Sequence, residues 1–163
     1  MKNHFEIRVI KKEEKKINFD FFIDRKALSE WLNIHRFDLS YCDFDLDILE
    51  VDTSKFPNYD RTKINKNAVS QFLGNDLPSN QFGTNRIVLY RCHCGSDYCG
   101  VISCNLDKQE DLIIWEEITY ENDDFEDEKE IENRGIKSIK ELKFDRKQYE
   151  LEFEKYLEKY CTK

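Results

Sequence analysis

Apolar and polar residues alternate twice near the start of the chain, with Phe5, Ile7 and Val9 before a lysine-rich turn and Ile17, Phe19 and Phe21 after it. A period of two belongs to strands with one buried face, so the pair predicts an antiparallel hairpin. Asp24 then offers an N-cap oxygen to a short amphipathic helix carrying Leu28, Trp31 and Leu32 and ending near Asn33. Phe44, Leu46 and Ile48 alternate with Asp43, Asp45 and Asp47 as a half-exposed strand. Lys66 to Leu73 reads as a second helix, with Ala68, Val69, Phe72 and Leu73 apolar and Gly74 placed to stop it. Three strand signals follow the turn-rich residues 75–85: Ile87 to Arg91, Val101 to Leu106, and Leu112 to Tyr120. They predict an antiparallel meander in which Ile102, Cys104 and Leu106 share the core face. Ile136 to Phe144 adds a strand, and Asp145 caps a last helix whose Tyr149, Phe153, Tyr156, Leu157 and Tyr160 form one apolar face. Strands cluster and helices sit at the ends without βαβ alternation. The expectation is a single α+β domain over residues 1–163, a mostly antiparallel sheet with a central three-strand meander, short helices and a C-terminal amphipathic helix.

The composition supports one core: 163 residues, 39% hydrophobic and 13% aromatic, hold enough apolar area to offset chain entropy despite 37% charged residues. Met1 to Lys16 alternates rather than forming the apolar run of a signal peptide, and no stretch approaches the roughly 20 apolar residues of a membrane span. A cytoplasmic protein is expected. Six cysteines fit that setting, because thiols stay reduced there, and Cys42, Cys104 and Cys161 stand singly among apolar neighbours.

Charge redraws the picture, since the net of −8 is gathered in one segment. Glu116 to Glu132 holds ten acids against Lys129 alone, so that segment carries −9 and the remainder +1. Such a field repels nucleic acid and anionic membrane and attracts a basic protein. Asp123, Asp124, Glu126, Asp127 and Glu128 are the candidate partner-binding residues. The plainer alternative is a solvated acidic loop.

The strongest local motif is Cys92-His93-Cys94-Gly95-Ser96-Asp97-Tyr98-Cys99-Gly100, a loop joining two strands. Cys92 and Cys94 share a strand face, and a fold-back brings Cys99 toward them. With Cys104, or a distant His4 or His35, as a fourth ligand the set offers zinc a tetrahedron, although C-x-C-x4-C departs from paired C-x2-C knuckles. Against this stands simple packing, with Gly95 and Gly100 supplying positive φ angles and the thiols filling gaps. A redox thiol would need a lowered pKa, for which only Arg91 and His93 are close in sequence. Asp43, Asp45 and Asp47 do not continue as a calcium loop, since Ile48 stands at the glycine position and Ser54 at the closing carboxylate. No nucleophile and base, phosphate loop or cofactor motif is legible among His4, His35, His93 and their surroundings. No enzyme and no cofactor is expected.

Phe72-Leu73-Gly74, Leu89-Tyr90-Arg91-Cys92, Cys94-Gly95, Cys99-Gly100, Trp115 with Tyr120-Glu121-Asn122, and Phe144-Asp145-Arg146-Lys147-Gln148-Tyr149-Glu150 together resemble an uncharacterised family of small bacterial proteins. The resemblance covers about the second half of the chain and implies kinship without an activity. In kind, the chain is similar to immunity proteins of bacterial toxin and contact-dependent inhibition systems, which implies a basic, nuclease-type toxin as partner. The reading carried forward is a non-enzymatic protein-binding module, with a zinc-stabilised or thiol-redox domain as the alternative.

Overall fold

The computed structural model describes residues 1–13, 16–34, 61–78, 80–91, 98, 100–122, 124 and 127–160. Strands β1 (Phe5–Glu13) and β2 (Lys16–Ile23) form the expected hairpin, and β3 (Lys26–Ala27) adds to β2. Helices α1 (Leu28–Trp31) and α2 (Arg61–Phe72) follow. A second antiparallel sheet is built in chain order from β4 (Ile87–Arg91), β5 (Val101–Lys108), β6 (Leu112–Glu121) and β7 (Ile139–Asp145). Helix α3 (Glu128–Asn133) precedes β7, and α4 (Arg146–Tyr160) ends the described chain. The architecture is α+β, with the predicted meander β4-β5-β6 at its centre.

Local chemistry sets several boundaries. Asp145 caps α4 by accepting the Gln148 N–H at 3.1 Å. Gly74 stops α2 at φ +72, its N–H reaching the Gln71 carbonyl. The expected cap at Asp24 is a miss. Asp24 and Arg25 both take positive φ, 51° and 71°, and make the tight β2–β3 turn, while Ala27 precedes a helix of only four residues. The Asp24 carboxylate instead accepts the His4 N–H at 2.7 Å and the Asn3 side chain at 2.8 Å. A two-residue turn with both φ positive matches strand twist, and that geometry outweighed the helix signal. The predicted strand around Phe44, Leu46 and Ile48 lies outside the described residues.

One apolar cluster joins both sheets to the helices. Phe5 of β1 stands at its centre, with ring centroids of Tyr149, Phe144, Phe153, Trp115 and Phe21 at 4.6, 5.2, 5.5, 5.6 and 5.9 Å. Ala68, Val69 and Phe72 enter from α2, Ile131 from α3, and Tyr149, Phe153 and Tyr156 from α4. Ile102 and Cys104 are buried on the predicted face and Leu106 packs against it. Asn3 bridges the sheets, its N–H donating to the Lys143 carbonyl and its side-chain oxygen accepting from the Lys143 N–H at 3.0 Å.

Phe5→Ala removes the ring that touches both sheets and leaves a cavity where collapse is blocked from several sides. It is expected to cost about 3 to 5 kcal/mol, read as a lowered denaturant midpoint with an unchanged slope.

Candidate functional site

The acidic segment is not a featureless loop. Its first part is β6, where Glu117 sits at φ +50 in a bulge opposite Ser103 to Asn105. Glu121, near the end of that strand, turns inward: its carboxylate lies 3.9 Å from Arg86 Nε and accepts from Ser103 Oγ at 3.2 Å and Thr84 Oγ1 at 3.3 Å. Asn122 is buried and accepts the Asp124 N–H at 3.0 Å, starting the turn out of the strand. Asp127 then caps α3 through the Glu130 N–H at 2.9 Å, and Glu128 and Glu130 place negative charge in the first helical turn.

A single apolar residue, Ile131, holds this helix to the core. Its far end is tied down by backbone and side-chain bonds: Gly135 at φ +86 closes the turn, Asn33 Nδ2 donates to the Gly135 carbonyl at 2.8 Å, and the Lys137 N–H donates to Leu32. Arg134 lays its guanidinium over Tyr120, 5.0 Å from the ring centre. Asp127, Glu128, Glu130 and Glu132 are exposed at the cap and along this helix, and Asp124 is exposed in the turn after β6. Glu128 and Glu132 border a recess of about 510 Å³ with Asn33, Lys137 and Ser138. Of the predicted partner-binding residues, Asp127 and Glu128 stand exposed at the start of α3, Asp124 is exposed in the turn after β6, and Asp123 and Glu126 lie outside the described residues.

Cys92, Cys94 and Cys99 also lie outside the described residues, as does Gly95. The frame of their loop is visible. Tyr98 is exposed, its ring edge-on to Phe82 at 5.4 Å and its hydroxyl donating to the Gln81 carbonyl. Gly100 takes φ +100 and abuts the Tyr120 ring so closely that a Cβ would overlap it. Cys104 is fully buried opposite Ile87, and burial pushes its thiol well up, against formation of a thiolate. Among the described residues, no three His, Cys, Asp or Glu side chains converge to hold a metal ion. No helix among them is long and apolar enough to cross a membrane.

Two polar clusters escaped the sequence reading. Asp20 is buried in β2 and receives hydrogen bonds from the Tyr90 hydroxyl of β4, from Ser29 Oγ at 2.6 Å and from the Phe21 N–H at 2.8 Å. Burial raises its carboxyl, with the Ser29, Tyr90 and Phe21 bonds opposing and Glu30 adding to the rise. The signal was an acid between phenylalanines in an otherwise apolar run. The second cluster surrounds Arg86, which donates to Ser103 Oγ at 2.9 Å, the Ser103 carbonyl at 2.8 Å and the Glu117 carbonyl at 2.5 Å, pinning the bulge. Asn80 completes it, donating to Thr84 Oγ1 and to the Arg86 carbonyl. Nothing in the spacing of residues 80, 84, 86, 103 and 121 announces that they meet.

Both clusters are internally satisfied, and neither sets a nucleophile beside a base. What remains to meet another molecule is the charged surface. No protein-family model, curated protein or solved structure matches this chain.

Tyr90→Phe deletes a donor to a buried carboxyl and should cost about 1 to 3 kcal/mol in denaturant unfolding. Asp20→Asn should act in the other direction at neutral pH. A raised folded pKa means that the stability linked to the protonated acid is complete below the ordinary carboxylate range and is lost as pH rises through the folded pKa. The variant cannot ionise, so its advantage should grow from acid to neutral pH; a constant difference between the two proteins would contradict the shift.

Proposed function

We propose that this chain is a non-enzymatic, cytoplasmic protein-binding module that captures a basic protein through the surface of α3 and the turn before it. The observation that carries the reading is the sorting of the acids. Glu121 and Asp20 are engaged in internal hydrogen bonds, whereas Asp127, Glu128, Glu130 and Glu132 stand exposed on one short helix and its cap, with Asp124 exposed in the turn after β6. Locking α3 at Ile131, Gly135 and Lys137 fixes those charges in space, which lowers the ordering cost of binding. The partner that suits such a surface is a basic protein of the nuclease-toxin kind, and the module then acts as an immunity protein that occludes it. Kinship with the small bacterial family and with immunity proteins of contact-dependent systems belongs to the same proposal, as does the absence of any cofactor.

Charges at the rim of an interface act chiefly on the rate of encounter and on its salt dependence. Replacing Asp123, Asp124, Glu126, Asp127 and Glu128 by their amides should therefore lower the association rate with a basic partner by about tenfold or more at low salt. It should also flatten the dependence on ionic strength, while the melting temperature holds because Asn still caps α3 at position 127. Stopped-flow association across a salt series reads both quantities. An unchanged rate and slope would reduce the segment to a solvated surface.

A further inference from the structure

Among the described residues the four-stranded sheet ends on β7, which pairs with β6. Its outer edge is met by the chain's own backbone at both ends and left open between them. At one end Asn3 lies parallel to the strand, its N–H donating to the Lys143 carbonyl and its side-chain oxygen accepting the Lys143 N–H at 3.0 Å. At the other, just before the strand, the Lys137 N–H donates to the Leu32 carbonyl at 3.0 Å. Backbone groups alternate in direction along a strand, so Glu141 and Ile139 turn theirs away from β6 as Lys143 does. The register runs through both without a shift, Glu141 opposite Glu116 and Ile139 opposite Ile118. Among the described residues, which include all of 127–145, the N–H and C=O groups of Ile139 and Glu141 meet no partner.

The result is a bounded slot rather than an open edge. From Lys137 to Lys143 the strand advances about 20 Å, and Leu32 and Asn3 stand at the two ends. Two rungs of pairing remain, enough for an extended stretch of about three residues whose flanks then leave the sheet. Between the rungs stands Lys140, on the same side of the strand as Leu142 and Phe144 but exposed, and it makes no ion pair among the described residues. Its neighbours are committed: Glu141 lies 3.4 Å from Lys143, and Ile139 is half-buried against the core. In an antiparallel pair the residue opposite Lys140 takes the non-hydrogen-bonded position, where side chains approach most closely. The charge that selects an occupant at this edge is therefore an unpaired ammonium group.

We propose that the β7 edge between Leu32 and Asn3 docks a short extended segment of a partner protein, antiparallel to β7 and with a carboxylate opposite Lys140. The open rungs at Ile139 and Glu141 supply backbone pairing, Ile139 offers an apolar contact on one side of the strand, and Lys140 selects the acid on the other. A second copy of this chain is a poor occupant, because two-fold antiparallel pairing through both rungs sets Lys140 directly against its own counterpart. The same lysine, with the stops at Leu32 and Asn3, keeps the edge from open-ended association. This edge is separate from the acids of α3 and does not depend on the function proposed for them.

The test is an NMR titration of the isotope-labelled full chain with a capped peptide carrying Val-Glu-Val between serines. Beside it run the same peptide N-methylated at both valines, which keeps the charge and loses the pairing donors, and its Val-Lys-Val counterpart. The Val-Glu-Val peptide is expected to bind and to move the amide resonances of Ile139 and Glu141 furthest, with each control about tenfold weaker or more. Lys140→Glu, on an exposed position, should invert the order so that Val-Lys-Val binds the edge more tightly, an inversion that a merely structural lysine would not produce. Glu141→Pro removes an N–H that faces away from β6, a change edge strands accept, and should weaken the Val-Glu-Val peptide about tenfold. If Glu141→Pro disturbs folding, the N-methylated peptide and the Lys140 variant decide between the outcomes. No binding of Val-Glu-Val, resonance shifts confined to residues away from β7, equal binding of the N-methylated peptide, or a Lys140→Glu variant that keeps the original order would each overturn the proposal.

Discussion

Phe5 lies where two sheets and the C-terminal helix must agree, and the positions of most other residues follow from satisfying it. Its ring contacts aromatic residues of β2, β6, β7 and α4, while Gln148 accepts from its backbone N–H and donates to its carbonyl. Neither sheet alone is wide enough to bury a face, since three and four strands expose much of their surface. Packed edge-to-face and tilted around Phe5, the rings of Phe21, Trp115, Phe144 and Tyr149 make one interior from two partial ones. The two polar tips inside it are accounted for. Trp115 Nε1 donates to the Tyr149 hydroxyl at 3.2 Å, which donates to the Phe72 carbonyl at the end of α2 at 2.8 Å.

That interior explains why so much was legible from the sequence and also where legibility stopped. Long apolar alternation set β1, β2, β5 and β6, because a slip of one residue would turn every ring outward. The capping carboxylate of Asp145 and the stop at Gly74 were readable because their chemistry is local. Asp24 looked like the same kind of cap and was not, since a tight turn toward β3 used the same residue first. The clusters around Asp20 and Arg86 were beyond reach for a different reason. Ser29, Tyr90 and Asp20 come together only once β2 meets β4, and Arg86 finds Ser103, Glu117 and Glu121 only once the bulge in β6 has formed. Contacts across the fold leave no period in the chain.

The acidic segment falls between these cases. Its charge was plain in the sequence, but its helix was not, because α3 is six residues long and held to the core by Ile131 alone. Its order comes from its ends: Asp127 satisfies an orphan N–H at the start, and Gly135, Asn33 and Lys137 satisfy carbonyls and fix the exit. The last part of a segment read as either loop or binding surface is thus a short, capped helix.

Net charge treats every acid alike, and the structure separates them by what each is bonded to. Asp20 and Glu121 are withdrawn into hydrogen bonds among buried groups, Glu152 is tied to a strand edge, and Asp24 and Asp145 hold a turn and a helix start. Carboxylates used in this way are poor handles for a partner, because engaging them would first break a bond that the fold uses. The acids of α3 differ in kind. Even Asp127, which caps its helix through one oxygen, remains exposed, so a cation can approach it without undoing the cap. Asp24 and Asp145 likewise order a turn and a helix while facing solvent, and what sets the α3 surface apart is that Glu128, Glu130 and Glu132 stand exposed beside such a capping carboxylate.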